Sequence, residues 1–185
     1  HRSTSSIIYK IMKKSTLRPN IFVNKVENHN VHKTILLDYF SKQNTKFNDI
    51  SNSDWLDSNN EKREWVQYFI NNIIYPVGKK LCENLLAKDL IIQNIWFQQY
   101  KNNDFHNWHN HPRVQFTNVY YIELPDGMKT ELWGEEDIDV KEGDILTFPS
   151  YIFHQSKVNN TNKRKTVVSF NTSFDHINID KINKT

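Results

Sequence analysis

The sequence changes pattern after Asp89, and this change limits the fold more than any other feature. The run from Leu90 to Tyr100 is rich in Ile, Trp, Phe and Tyr, which favour β-strands. Pro125-Asp126-Gly127 is a turn sequence that ends one later strand. The further predicted strands are Val119 to Leu124, Asp137 to Val140, Asp144 to Phe148 and Thr166 to Phe170. Short strands separated by turns predict a β-sandwich or a barrel.

The N-terminal half has helical spacing of apolar residues instead. Val31 to Phe40 is predicted to be a short helix, because its apolar residues recur at helical intervals. The clearest helix is predicted over Trp65 to Leu85, where Pro76 should kink or split it. Asp57 or Ser58 is the expected cap at its start. The chain is therefore predicted to combine N-terminal helices with a mainly β part, an α+β arrangement.

Length and the succession of elements predict a single domain over residues 1–185. Within it, residues 1–89 form a helical support, residues 90–175 form the β core and residues 176–185 form a polar tail. No internal repeat or low-complexity linker divides the chain.

Composition excludes several classes of protein. Cys82 is the only cysteine, which rules out an internal disulfide and a zinc site built from cysteines. The sequence has no apolar run long enough for a membrane helix and no signal-peptide core near its start, so an intracellular, cytoplasmic protein is expected. The net charge of +3 is mildly basic but gives no clear nucleic-acid signal.

Three of the eight histidines lie close together, at His106, His109 and His111. On a strand, residues at i and i+2 point to the same face, so His109 and His111 are predicted to share one cavity. His154, which follows a predicted turn, strand and second turn, is the candidate for a third ligand at the barrel mouth. Three side chains that coordinate one face of a metal ion leave its other coordination positions open, as in non-heme Fe(II) oxygenases. A single histidine is more often a surface or core residue, and His106 is expected to be a surface residue or an outer partner of the ligands.

A basic cluster, Lys163-Arg164-Lys165, precedes the last predicted strand. A cation at the start of this strand can reach a carboxylate held deep in a barrel, and the planar fork of Arg suits that task. Only one of Arg164 and Lys165 should face inward, by strand alternation. The spacing from His154 favours Arg164, with Thr166 on its face as a hydroxyl donor, and Lys165 is the alternative.

Taken together, these motifs resemble the 2-oxoglutarate/Fe(II) oxygenases of bacteria and phages. The resemblance runs from about Trp96 to Phe174. The segments that carry it are Trp108-His109-Asn110-His111-Pro112, Asn118-Val119-Tyr120-Tyr121, Gly143 to Pro149 with His154, Arg164-Lys165-Thr166, and Ser169-Phe170-Asn171.

The resemblance implies a double-stranded β-helix core, which is a jelly-roll, cupin-like fold. It implies Fe(II), 2-oxoglutarate and O₂ as reactants, with succinate and CO₂ as products. By position, His109 and His154 match the family's two histidine ligands. His111 stands where the wider superfamily usually has Asp or Glu, so His111 either ligates the metal or leaves an extra position open.

Four further side chains are candidates for binding 2-oxoglutarate or substrate. Gln98 and Tyr100 share a strand face with Trp96, and Asn118 shares another face with Tyr120. Each of them could instead be a core residue whose polar tip is satisfied within the protein.

Three functions are compatible with the sequence. The first is a 2-oxoglutarate-dependent oxygenase, with hydroxylation of a small-molecule or peptide substrate as the expected reaction. The second is a three-histidine cupin dioxygenase that does not use 2-oxoglutarate. The third is a non-catalytic metal-binding module. The sequence leaves the substrate and the oligomeric state open.

Overall fold

Two antiparallel sheets form the centre of the protein. The structure is a computed structural model, and it describes residues 20–43, 45, 51–135 and 138–175. The larger sheet has the strand order β1 (Phe22–Lys25), β7 (Asp144–Pro149), β5 (Phe116–Glu123), β9 (Lys165–Phe174), β3 (Leu90–Tyr100) and β2 (Asn52–Ser53). The smaller sheet has the order β4 (His106–His109), β8 (His154–Ser156) and β6 (Glu131–Leu132).

Two strands come from the part of the chain that was predicted to be a helical support. β1 pairs with β7, and β2 pairs with β3, so residues before Asp89 form both edges of the larger sheet. The predicted tail 176–185 lies outside the described residues.

The helices pack against one face of the larger sheet. They are α1 (His29–Ser41), α2 (Glu64–Phe69), a π-helical turn (Ile70–Ile74) and α3 (Tyr75–Asn84). Pro76 lies in the first turn of α3, directly after the π-helical turn, so the long predicted helix is continuous but loses its α-helical pattern just before the proline. Within the described residues, no helix combines the length and the apolar composition needed to cross a membrane.

The predicted helix cap is wrong. Asp57 ends a short 3₁₀ turn (Trp55–Asp57), Ser58 follows it, and α2 begins only at Glu64. The acid that organises this segment is Asp54. Its carboxylate accepts bonds from the Arg63 guanidinium, from the Trp65 indole N–H at 3.0 Å and from the Phe97 backbone N–H at 2.9 Å.

Strand alternation gives the larger sheet two different faces. Ile95, Phe97 and Phe170 belong to the core that packs against the helices. Val119, Phe148 and other side chains of opposite parity belong to a second core, which includes Leu132 of the smaller sheet. The site described below therefore lies between the two sheets, on the face away from the helices.

Most predicted strands are present. β3 has the predicted bounds, β7 and β5 differ from their predicted bounds by a few residues, and β9 extends to Phe174. The predicted strand over 137–140 is wrong in its described part, because residues 138–140 form no strand. Asp137 itself lies outside the described residues.

Candidate metal centre and its cavity

Three histidines converge between the two sheets. His109 ends β4, His154 begins β8, and the two are directly paired across these strands. His111 lies just beyond β4. One ring nitrogen from each of the three histidines lies within 4.8 Å of the others, a spacing that could hold a metal ion.

The reason for this convergence differs from the one that the sequence suggested. β4 ends at His109, so strand alternation does not orient His111. Instead, the backbone N–H of His111 donates to the carbonyl of Ser150 at 3.1 Å, which ties this segment to the turn before β8. His109 and His111 share one cavity because this bond to Ser150 holds the segment of His111 beside the start of β8.

Backbone carbonyls orient two of the three imidazoles. Nδ1 of His109 lies 2.7 Å from the carbonyl oxygen of Asn107, and Nδ1 of His154 lies 3.2 Å from that of Ile152. A carbonyl only accepts, so Nδ1 carries the proton in both rings. This leaves the lone pair of Nε2 free in each ring, which is the form that binds a metal.

His111 has a side-chain partner instead. The amide Nδ2 of Asn171 donates to Nδ1 of His111 at 3.4 Å and to Oδ1 of Asn94 at 2.8 Å. The hydroxyl of Thr117 donates to Oδ1 of Asn171 at 3.0 Å. His111 is therefore held by a side-chain amide network that continues to Asn94 on β3.

Burial keeps the imidazoles neutral. Burial and the neighbouring histidines lower the pKa of His154 to about 3 and that of His111 to about 4. Burial also lowers the pKa of His109. Because a metal ligand must be deprotonated, Nε2 of His109 and of His154 can bind a cation at neutral pH, whereas Nδ1 of His111 would have to give up its bond from Asn171 to do so.

A fourth imidazole lies against this group. The ring of His106 stacks on that of His109, with centroids 3.9 Å apart and an interplanar angle of 15°. Burial and the neighbouring His109 and Lys165 lower the pKa of His106 to about 4. Of the two expectations for His106, the structure favours an outer partner of the ligands over an exposed residue.

The cavity has two compartments that meet at the histidines. The outer compartment has a volume of about 480 Å³ and is bordered by Trp55, Asn94 and Val114. The inner compartment is narrower, about 30 Å³, and is bordered by Thr130, Ser156, Lys165 and Ser169. His106, His109, His111, Trp96 and Gln98 border both compartments.

Lys165 is the cation that faces the inner compartment. Its side chain is buried, with a relative exposure of 1% for the residue, and Nζ donates to the Ser156 hydroxyl at 2.9 Å. Nζ also lies 5.3 Å from the centre of the Tyr100 ring. Burial lowers the pKa of Lys165 to about 7. No carboxylate in the described part of the chain forms an ion pair with it.

The prediction that Arg164 faces inward is therefore wrong. Arg164 forms two hydrogen bonds with the Glu123 carboxylate, at 2.7 and 3.1 Å, on the opposite face of β9. The Thr166 hydroxyl donates to the same carboxylate, so Thr166 is not in the cavity either. Arg164 and Thr166 do share a face, as strand alternation predicts, but it is the face of Lys165 that meets the cavity.

Of the four polar side chains predicted to bind 2-oxoglutarate or substrate, two border the cavity and two do not. Gln98 and Tyr100 border the inner compartment, and the Tyr100 hydroxyl donates to Oε1 of Gln98 at 3.0 Å. Asn118 and Tyr120 lie on the opposite face of their strand. Asn118 bonds to neighbouring strands, and the Tyr120 hydroxyl pairs with Nδ1 of His29 at 2.7 Å. Their predicted placement in the cavity is wrong.

Some side chains at the cavity had no assigned role from the sequence. Asn171 and Ser169 have the parity of Lys165 along β9, so the correct phase of that strand would have identified them. Trp55, Thr130 and Ser156 come from separate segments. No local pattern in the sequence marks Trp55 or Thr130 as a neighbour of the histidines, whereas Ser156 lies two residues after His154 on β8 and so shares its face.

Comparison with solved structures places this architecture among known folds. No protein-family model matches the chain, and no curated protein matches its sequence. A 2OG-Fe(II) oxygenase family oxidoreductase from Burkholderia pseudomallei aligns with a TM-score of 0.65 and 8% identity, covering 94% of this chain and 91% of that one. The chain has the fold of this oxygenase family. The prediction of a mainly β protein with a jelly-roll core is confirmed.

Two further structures share the fold. The viral collagen prolyl hydroxylase of Paramecium Bursaria Chlorella virus-1, solved with 2-oxoglutarate, has a TM-score of 0.61 and 12% identity over 84% of this chain and 97% of that one. HygX from Streptomyces hygroscopicus, solved with nickel and 2-oxoglutarate, has a TM-score of 0.63 and 8% identity over 92% and 87% of the two chains. At these identities the likeness establishes the fold, and the activity has to be argued from the site.

Proposed function

We propose that the protein is an oxygenase that depends on Fe(II) and 2-oxoglutarate and hydroxylates its substrate. The observation that carries this proposal is the position of Lys165. Its buried ammonium has no acidic partner among the described residues, and it borders the same inner compartment as His109 and His154. A buried cation without a counter-ion is costly, so a ligand that brings an anionic group is favoured at this position.

We assign His109, His111 and His154 as the ligands of Fe(II). The donor set fits the ion, because all three imidazoles are neutral and two of them have Nε2 free for coordination. Three neutral ligands leave the full charge of the ion in place, which favours binding of a dianion. Imidazole ligands also suit nickel, the metal in the structure of HygX.

The cosubstrate site that we propose is the inner compartment. The Lys165 ammonium, held by the Ser156 hydroxyl, would pair with the carboxylate of 2-oxoglutarate that is farther from the metal. When bound, Fe(II) and 2-oxoglutarate supply the oxidising chemistry, in which 2-oxoglutarate and O₂ yield succinate and CO₂ as the substrate is oxidised. Val119, Val167 and Phe148 provide apolar walls that keep water away from this region.

The inner compartment is too narrow for 2-oxoglutarate unless side chains move. A five-carbon dicarboxylate needs more room than about 30 Å³, so side chains that separate the two compartments have to move when it binds. His106 borders both compartments, and we propose that its side chain moves.

One structure with this fold, a collagen prolyl hydroxylase, supports the type of reaction. Another, HygX, has been solved with hygromycin B bound, which supports a small molecule as the substrate. We therefore propose hydroxylation as the reaction, with a peptide or a small molecule as the substrate and O₂ as the second reactant.

A second function is favoured by one observation. The third metal ligand is His111, not a carboxylate, and three-histidine sites occur in dioxygenases that do not use 2-oxoglutarate. In that case Lys165 would pair with an anionic group of the substrate itself. The experiment below separates the two functions.

Spectroscopy under anaerobic conditions tests the proposal. The metal-free protein receives Fe(II) and then 2-oxoglutarate while its visible spectrum is recorded. A weak charge-transfer band that requires both additions is the expected result. If Fe(II) binds but 2-oxoglutarate produces no band, the three-histidine dioxygenase becomes the better assignment. If Fe(II) does not bind, both assignments are wrong and a non-catalytic module remains.

A further inference from the structure

The outer compartment has an uncharged lining. It borders the histidines on the side away from Lys165, and no Asp, Glu, Lys or Arg is among the described residues that line it. Its lining consists of indole, amide, hydroxyl, imidazole and aliphatic groups. A charged ligand group would lose hydration here without meeting an opposite charge from the protein.

One wall of this compartment is an aromatic corner. The rings of Trp55 and Trp96 meet edge to face, with centroids 4.5 Å apart and an interplanar angle of 80°. Trp96 is buried, whereas Trp55 is 42% exposed and borders the open side. The Ser53 hydroxyl accepts the backbone N–H of Trp55 at 3.1 Å and donates to the Phe97 carbonyl at 2.8 Å, which fixes the turn that carries Trp55.

The neighbouring wall presents amide donors. Asn94, Trp96 and Gln98 line the compartment from one face of β3, so the two amides flank the buried indole. The Oδ1 of Asn94 accepts from Asn171, and the Oε1 of Gln98 accepts from Tyr100. The oxygen of each amide is thus engaged, and no described residue accepts from Nδ2 of Asn94 or Nε2 of Gln98. Gln98 is only 9% exposed and lines the cavity, so its Nε2 can donate to a ligand bound there.

We propose that the outer compartment selects an uncharged substrate with a saturated ring or chain and oxygen acceptors. The carbon face of the substrate packs into the corner formed by Trp55 and Trp96. Its carbonyl, ether or hydroxyl oxygens accept hydrogen bonds from Asn94 and Gln98. This inference rests on the proposed oxygenase function, since it names the class of molecule that is held beside the metal.

Matched probes test this proposal by calorimetry on the protein loaded with Fe(II) and 2-oxoglutarate. The neutral probes are acetyl-proline N-methylamide and methyl glucopyranoside. Their charged counterparts are acetyl-proline, methyl glucuronide, prolinamide and methyl 6-amino-6-deoxyglucopyranoside. At least one neutral probe should bind about tenfold more tightly than each of its charged counterparts, and the two series distinguish an amide-bearing from a hydroxylated ligand.

Two variants link the binding to the named residues. Trp55→Ala should weaken binding of the neutral probe by about tenfold, because the corner formed by Trp55 and Trp96 loses its exposed indole. Trp133→Ala is the control, since Trp133 is 69% exposed, packs on Trp108 and does not line this compartment. Asn94→Asp keeps the oxygen that accepts from Asn171 but replaces the amide donor with a negative charge. This variant should therefore bind the cationic probes more tightly than the neutral ones.

The outcomes separate this inference from the proposed function. The charge-transfer band is recorded first for each protein, and its absence counts against the proposed function. If the band is present, equal or tighter binding of the charged probes, or no binding of either neutral probe, overturns the inference. Equal weakening by Trp55→Ala and Trp133→Ala would also overturn it.

Discussion

The ammonium of Lys165 lies 2.9 Å from the hydroxyl oxygen of Ser156, and it has no ionic partner in the described part of the chain. Ser156 is two residues beyond His154 on β8, so this hydrogen bond joins the start of β9 to the strand that carries a proposed metal ligand. The cation is therefore held next to the strand that carries His154, which is itself paired with His109 on β4.

Lys165→Ala should weaken 2-oxoglutarate binding strongly while leaving Fe(II) binding intact. A charged hydrogen bond of this kind is worth about 1.5–3 kcal/mol, which is roughly 10- to 150-fold in the dissociation constant. Arg164→Ala is the matched control, because its partner Glu123 lies on the other face of β9. Titration of 2-oxoglutarate into the Fe(II)-loaded proteins measures both effects. Equal affinities for the two variants would contradict the cosubstrate site.

The affinity for 2-oxoglutarate should fall as the pH rises above neutrality. Burial lowers the pKa of Lys165 to about 7, so the unliganded amine loses its charge above that pH. Binding of a dianion restores the charged form, and each binding event must then take up a proton. The dissociation constant should rise by up to tenfold per pH unit between about pH 7 and 9. In Lys165→Ala the dissociation constant should depend less on pH. An equally steep pH dependence in that variant would show that Lys165 is not its cause.

Lys165→Met should stabilise the unliganded protein at pH 7, by about 1–4 kcal/mol in the free energy of unfolding. The folded state lowers the pKa of this amine from 10.5 to about 7, so the unfolded chain binds more protons between these values. The stability of the natural protein therefore rises with pH in this window. Thermal unfolding from pH 7 to 10 should show that the difference in stability between Lys165→Met and the natural protein becomes smaller as the pH rises. A difference that does not change with pH would contradict an effect of the lysine charge.

His154→Ala should abolish stoichiometric Fe(II) binding. His154 is the most buried of the three proposed ligands and is paired directly with His109 across β4 and β8. His32→Ala is a suitable control, because His32 bonds to the Tyr68 hydroxyl on the helical side. Iron content after anaerobic gel filtration gives the answer. Full iron occupancy in His154→Ala would show that the three proposed ligands are not the metal site.

Asp54→Ala should reduce the free energy of unfolding by about 3–5 kcal/mol, because it leaves the buried Arg63 without its counter-ion. It also removes the acceptor for the Trp65 indole and the Phe97 backbone N–H. Asp57→Ala changes an exposed acid three residues away and should alter stability by less than about 0.5 kcal/mol. Urea unfolding of the two variants compares them directly. Similar losses in both would contradict the structural role of Asp54.

The sequence by itself determined those features that depend on neighbouring residues. The bounds of β3, the disruption of the helix near Pro76 and the turn-strand-turn order before His154 follow from local composition and spacing. The three converging histidines also follow from the sequence, because the His109-Asn110-His111 pair and the turn-strand-turn segment before His154 predict them.

The tertiary structure decided which face of each strand meets the cavity. Alternation fixes only the relative orientation of Arg164 and Lys165, and it leaves the absolute phase of β9 open. That phase is set by packing, because Val168 and Phe170 contact the helices and so direct Lys165 toward the histidines. Trp55 reaches the cavity because Ser53 and Asp54 anchor its turn to Phe97 on β3. Such contacts join residues far apart in the chain, and no local pattern in the sequence records them.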